Sequence, residues 1–467
     1  MEGLEVSILA THHVFAENRD KRLDSQYFRR AALAADQLIA QHSPEKISEV
    51  ASEVRSFGAY ALTNEFEYQD DGIPFIRGTD YSGDFINFSS VLRVSEEAHA
   101  LLHKSEVQPG MVLLSMSGSV GSVAVALESW NYPINSNQDI AKILPVGVSP
   151  FFMAAYLACR YGQIQIDRLP VGSVQQHVFL WMIERIQIPR FSSVLEGRVA
   201  ELSQRAYSKH EAVNTDFQRA EDALLAALGL ANWTPPEPLA YTARAADVFA
   251  SGRFDARFFA PRIQALLDLL AVDGRTIADL ANPRREKFRP NACAAFDYIE
   301  ISDIDGAGAA TSTRLASEDA PSRATWHVRA GDIITSTVRP IRRLSAQITP
   351  EQEGFVCSSG FVVVTPRDIA PEVLLTYLRL PVICELLDLF ASASMYPAIT
   401  DADIFNLPLP HIPDAVADQV TQNVIAAKAA KARAASMLEA AKRAVEIAIE
   451  DGEPAAMAYL DQAEGAI

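Results

Sequence analysis

The chain has 467 residues, 49% of them hydrophobic and 21% charged, which excludes a disordered polypeptide and leaves room for about two to four domains. Its net charge of -18 argues against a uniform attraction to phosphate, and its four cysteines, Cys159, Cys293, Cys357 and Cys384, are too scattered for a disulfide framework or a zinc site. Met1 to Ser7 lack the basic and apolar regions of a signal peptide, and no run approaches the roughly 18 apolar residues of a membrane span, so a cytoplasmic protein with no membrane segment is expected.

In chain order, the first motif is Arg22-Leu23-Asp24-Ser25-Gln26-Tyr27-Phe28, whose aromatic pair is expected to anchor the start of a packed helix. Strand-like runs follow at 74–77, 111–116 and 122–127, with turn residues between them. A helix is predicted over 151–161, with Pro150 pre-setting its first turn. His99 and His103 stand four apart with no third ligand in sight, and read as a surface helix rather than a metal site. Ile186-Gln187-Ile188-Pro189 closes the mixed segment. Beyond it Leu195, Val199, Leu202, Ala206, Val213, Phe217, Ala220, Leu224 and Ala227 recur at three- and four-residue steps, which predicts a long amphipathic helix over 191–230. A proline-stiffened linker, 231–238, leads onward.

The pattern is then written again. Arg253-Phe254-Asp255-Ala256-Arg257-Phe258-Phe259 repeats the aromatic motif at an offset of 231, and Tyr298 to Gly306 repeats Phe75 to Gly83 at 223. Gly331-Asp332-Ile333-Ile334-Thr335-Ser336 repeats Gly110-Met111-Val112-Leu113-Leu114-Ser115 at 221, and Leu407-Pro408-Leu409-Pro410 repeats the closing anchor at the same offset. Strands are expected at 332–335 and 361–365, a helix after Pro371, a second long helix over 411–452 and a tail over 453–467. The second stripe is alanine-rich: Val416, Val420, Ala427, Ala434, Leu438, Ala441, Val445 and Ala448. A period this long is a domain duplication, not a solenoid. Each apolar stripe needs a partner, and the only stripe of matching length is the other one. The expected fold class is therefore α+β. Two pseudo-two-fold-related α+β domains, 1–190 and 239–410, are separated by a pair of long antiparallel coiled-coil helices.

Two mixed units, each closed by such an anchor and followed by a long helix, resemble the specificity subunits of Type I restriction-modification systems over nearly the whole chain. Two segments carry the resemblance most closely. They are Gly110-Met111-Val112-Leu113-Leu114-Ser115-Met116-Ser117-Gly118-Ser119-Val120-Gly121 and the loop Gly172-Ser173-Val174-Gln175-Gln176-His177-Val178 before the first anchor. The second half departs from the pattern, continuing as Thr337-Val338-Arg339-Pro340-Ile341-Arg342-Arg343, with Ser392-Ala393-Ser394-Met395-Tyr396 before its anchor. The resemblance implies two target recognition domains that read different sequences. It implies a non-catalytic subunit that reads a bipartite, asymmetric double-stranded DNA target and positions two adenine-N6 methyltransferase subunits and restriction-translocase subunits on it. S-adenosylmethionine, ATP and magnesium would then belong to partners, with no cofactor, metal or catalytic residue on this chain. The chain carries no [DN]-P-P-[YF] motif (Asn131-Tyr132-Pro133-Ile134 is a near miss) and no phosphate-cradling G-x-x-x-x-G-K-[ST] loop.

Base edges are read by side chains such as Arg, Asn and Gln, and phosphates by Lys, Arg, Ser and Thr. In the first half the candidates for DNA contact are Asn64, Arg77, Thr79, Ser117, Ser119, Ser173, Gln175 and Gln176. Arg168 and His177 are backbone contacts or plain structure. In the second half they are Arg284, Arg285, Lys287, Arg289, Thr337, Arg339, Arg342, Arg343, Ser394 and Tyr396. Two other readings stay open: a specificity module of a different methylation or phage-defence system, and a scaffolding protein whose duplicated domains bind protein.

Overall fold

The computed structural model describes residues 8–16, 22–56, 66–69, 71–88, 91–170, 177–235, 237–290, 293–391 and 398–466. They form two compact units, Met1–Glu211 with Ala430–Ile467, and Ala212–Ala429.

The first unit is built on two four-stranded sheets. One orders Ala51–Arg55, Ile140–Pro145, Val112–Ser115 and Val123–Val125, all antiparallel. The other orders Leu92–Val94, Ile73–Ile76, Ile134–Ser136 and Glu106–Val107, with its middle pair parallel. The segment 111–116 reads as a continuous apolar run because both faces of its strand are covered. Val112 and Leu114 enter a core shared with Phe152 and Tyr156, whereas Met111 and Leu113 enter a core shared with Ile76 and Ile134. Period-two alternation thus feeds two cores instead of a core and solvent.

The second unit repeats this arrangement strand for strand. Its sheets order Ala281–Pro283, Phe361–Pro366, Ile333–Ser336 and Ser345–Gln347, and Thr313–Ala316, Ala295–Ile299, Val356–Ser358 and Ala324–His327. The parallel pair recurs as well, with Tyr298 opposite Val356 where Phe75 lies beside Asn135. The aromatic motif is a repeated clasp: Arg22 pairs with Asp24 and lies 5.0 Å from the Tyr27 ring centre, and Arg253 pairs with Asp255 and lies 4.7 Å from Phe258.

The helix expected over 151–161 is two, Pro150–Ala158 and Arg160–Asp167, divided at an extended Cys159. A side chain at Gly162 would meet the Tyr156 carbonyl oxygen at 2.2 Å, so the chain turns there only on glycine. The second unit divides at the equivalent place, into Pro371–Arg379 and Pro381–Phe390, with Pro381 holding Leu380 extended.

The long helices run over Ser193–Ala227 and Asp414–Asp451. In the first unit Leu195, Val199, Leu202 and Ala206 share a core with Ala434, Leu438, Ala441, Val445 and Ala448. In the second unit Ala220 and Leu224 share one with Val420 and Val424. The start of each helix therefore meets the end of the other, the order that antiparallel pairing requires. Ala227 is exposed and Leu228 takes the buried place. The first helix stops in a Schellman motif, with Leu230 N–H on the Leu225 carbonyl at 2.8 Å, Gly229 N–H on Ala226 at 3.1 Å, and Gly229 at φ +71°. The expected tail folds as a helix, Glu453–Ala466, because Ala456 and Leu460 complete the first core and Arg198 pairs with Asp461 and Glu464.

A buried lysine interrupts the apolar frame of the first unit. Lys142, on Ile140–Pro145, is fully buried, donating to Ser136 Oγ at 2.7 Å, and burial lowers its pKa from 10.5 to about 7. Its counterpart is Val363, also buried. A depressed lysine pKa means that the unfolded chain holds the proton more tightly, so stability falls as pH drops from 10.5 to about 7 and stays at its lowest below that. Lys142→Val is expected to raise stability at pH 6 and to remove a slope of up to about 1.4 kcal/mol per pH unit above pH 7. Chemical denaturation of both proteins across pH 6 to 10 checks this, and parallel curves would contradict it.

Candidate nucleic-acid interface

In each unit the doubly buried strand ends in a turn that lies beside the segment preceding the closing anchor. Ser117 pairs with His177, and Val178 N–H reaches the Met116 carbonyl at 3.0 Å. Val338 pairs with Ala398 in the same way, and Ile399 N–H reaches the Thr337 carbonyl at 2.9 Å. The described ends of the two pre-anchor segments, His177-Val178 and Ala398-Ile399, thus lie beside the turn that ends the strand in each half.

The turns themselves differ. In the first, Gly118 and Gly121 take positive φ, +69° and +93°, and Gln163 packs against Gly121 and donates to its carbonyl at 2.9 Å. In the second, arginines hold the two positive-φ positions, Arg339 at +51° and Arg343 at +60°. A residue with a Cβ costs about 1 kcal/mol at each such position, and that cost must be offset by the surroundings. Arg343 Nε donates to the Arg379 carbonyl at 2.6 Å and its guanidinium pairs with Glu221. Arg379, buried, donates to the Arg343 carbonyl at 2.7 Å, the Ser345 carbonyl at 3.1 Å and the Gly306 carbonyl, and burial lowers its pKa to about 10. Sequence reasoning missed Arg379, whose only signal was an arginine closing an apolar helix.

Several predicted contact residues turn out to hold the fold. Arg77 grips the buried Asp80, Nη2 to Oδ1 at 2.8 Å, and Arg168 grips Asp36 through both carboxylate oxygens at 2.6 and 2.8 Å beside the Tyr27 ring. Arg284 pairs with the buried Asp332 at 2.6 Å, and that carboxylate also accepts from Arg329 N–H and Thr365 Oγ1. Arg343 is engaged as described, and Thr337 Oγ1 donates to the Gly360 carbonyl at 3.0 Å. Arg77, Arg284, Arg343 and Thr337 each therefore have a partner within the fold, since a buried carboxylate needs its cation and a carbonyl its donor.

The remaining predicted residues keep free surface to differing degrees. Thr79 and Ser119 are exposed, Ser117 is buried, and the His177 ring meets Phe179 edge-on at 5.1 Å between centres. Asp139 lies near His177, and burial raises its pKa against the pull of that imidazole. Arg285 is exposed and pairs with Asp401 at 3.1 Å, three residues beyond Ala398, so the basic run 284–289 reaches the same pre-anchor segment. Lys287, Arg289, Arg339 and Arg342 are exposed and meet no carboxylate among the described residues. Asn64, Ser173, Gln175, Gln176, Ser394 and Tyr396 lie outside the described residues. The two histidines do not share a helix: His99 is on Glu96–Leu101, with Nδ1 3.0 Å from Asn135 Oδ1, and His103 begins the 3-10 turn His103–Ser105. No group of three or more His, Cys, Asp or Glu suited to a metal occurs among the described residues.

The partners of Arg284 and Arg342 give opposite expectations. Arg284→Ala leaves a buried carboxylate uncompensated and is expected to cost about 3 kcal/mol or more, whereas Arg342→Ala stays within about 0.5 kcal/mol. Urea denaturation compares the two, and equal effects would contradict the assignment.

No family model matches the chain and no curated protein matches it. Among solved structures it is similar to a Type I restriction-modification system S subunit from M. genitalium, at 11% identity and a TM-score of 0.40, over 87% of this chain and 94% of that one. It is also similar to the HsdS subunit from Thermoanaerobacter tengcongensis, at 15% identity and a TM-score of 0.28, over 90% of this chain and 95% of that one. A third structure, described by the complex assembly and conformational transition of the type I R-M system, has 16% identity and a TM-score of 0.28, over 90% of this chain and 96% of that one.

Proposed function

We propose that this chain is a non-catalytic subunit that reads a bipartite, asymmetric sequence in double-stranded DNA, one part through each half. On that site it positions partner adenine-N6 methyltransferase subunits and, where they exist, restriction-translocase subunits. One observation supports the reading most: the same frame is built twice, and its two equivalent turns carry different residues, Gly118-Ser119-Val120-Gly121 in one and the arginine-rich 339–343 in the other. A scaffold that binds the same protein twice has no use for unlike turns, whereas a reader of two different half-sites does. S-adenosylmethionine, ATP and magnesium are assigned to the partner subunits, and the setting to the cytoplasm, where DNA is met.

The net charge of -18 confines phosphate attraction to local cations, so DNA binding by the chain is expected to be strongly salt-dependent and is measured at low salt. Loops supply discrimination and the paired helices supply the spacing between half-sites. Four residues inserted in register into both helices add about 6 Å, close to two base pairs of spacer.

Sequencing of methylated adenines in the host with and without this gene tests the proposal. Loss of a single bipartite motif on deletion is expected, and an unchanged methylome supports the scaffolding reading instead. Inserting the four residues in both helices is expected to lengthen the unread spacer by about two base pairs, and an unchanged spacer refutes the role of the helices as a ruler.

A further inference from the structure

The turn of the second half holds an apolar residue where solvent reaches it. Ile341 is 53% exposed, flanked by the exposed Arg339 and Arg342, while Pro340 beside it is buried. The first-half turn is one residue shorter, and its apolar residue, Val120, packs against the core of its unit.

The exposed crest is also held stiffly. Arg342 N–H returns to the Arg339 carbonyl at 3.0 Å and Arg343 N–H to the Pro340 carbonyl at 3.0 Å, closing a 3-10 turn over Pro340–Arg342 between the two positive-φ arginines. Beneath it, Arg343 is fixed by Glu221 and the Arg379 carbonyl, and Arg379 returns a bond to the Arg343 carbonyl. The turn is strained and braced, and it presents one branched aliphatic side chain between two cations that meet no carboxylate among the described residues.

We infer that Ile341 is a wedge that enters between two stacked base pairs of the DNA, with Arg339 and Arg342 on the phosphates to either side. This rests on the proposed reading of the chain as a DNA reader and adds how the second half engages its half-site. An aliphatic side chain driven between base pairs unstacks them and kinks the duplex, and the energy it needs favours flexible pyrimidine–purine steps. The second half would then select sequence partly through deformability, at a step where no hydrogen bond to a base edge is made. The first half, with Val120 packed inward, would not kink its half-site.

The test uses the full chain and duplexes that it recovers from a random-sequence pool at low salt, resynthesised with 2-aminopurine at successive positions. Wild-type protein is expected to raise 2-aminopurine fluorescence at one step of one half-site. Ile341→Ala is expected to abolish that rise and to weaken binding roughly tenfold with an unaltered salt dependence. The double variant Arg339→Ala, Arg342→Ala is expected to keep the preferred step while lowering the salt slope by about two phosphates. If the pool yields a motif but Ile341→Ala binds it with wild-type affinity and fluorescence, the wedge is refuted and the DNA reading stands. If no duplex is enriched and binding does not depend on salt, the DNA reading itself fails.

Discussion

The architecture of each half depends on one strand whose two faces are both buried. Val112–Ser115 and Ile333–Ser336 send alternate side chains into a helix-covered core and into the core between the two sheets. Polar change along such a strand costs desolvation in one core or the other, as at the buried Thr335, whose Oγ1 finds no partner among the described residues. Its end is free to vary, because the turn that follows faces outward and is fixed at one side by pairing with the pre-anchor segment. Variation is thus channelled to one place per half, where a conserved frame can carry unlike contacts.

What differs between the two turns is the way a shared backbone demand is met. The first half meets it with glycines, which adopt positive φ at little cost and leave a smooth turn. The second meets it with arginines and offsets the strain with a buried guanidinium, Arg379, and a helix carboxylate, Glu221. Arginine at such positions is retained when its side chain does something glycine cannot. Arg343 braces the turn from beneath, and Arg339 keeps its charge in solvent beside Ile341.

The repeat, the main strands and the two long helices were legible in the chain because each rests on periodicity: an offset of 221, continuous apolar runs, and a three-four alternation. The breaks at Cys159 and Leu380 fell between those signals. The second is set by Pro381, but the first depends on Gly162 passing close to the Tyr156 carbonyl, a contact of the folded state. Glu453–Ala466 was expected as a tail, yet Ala456 and Leu460 suffice to seat it as a helix once a core is there to receive them. At the candidate interface the turns and the basic run were legible and their ion pairs were not. Arg284 and Arg289 look alike in sequence, and only Asp332, 48 residues away, marks the first as structural.

We propose that each half reads its own part of a two-part DNA target through the turn that ends its doubly buried strand. The most direct measurement is the adenine methylation motif of a host whose copy of this gene carries Gly-Ser-Val-Gly in place of residues 339–343. The account predicts that one half of the motif is lost or relaxed while the other half is kept. A motif unchanged in both halves, or no motif that depends on the gene, would contradict it.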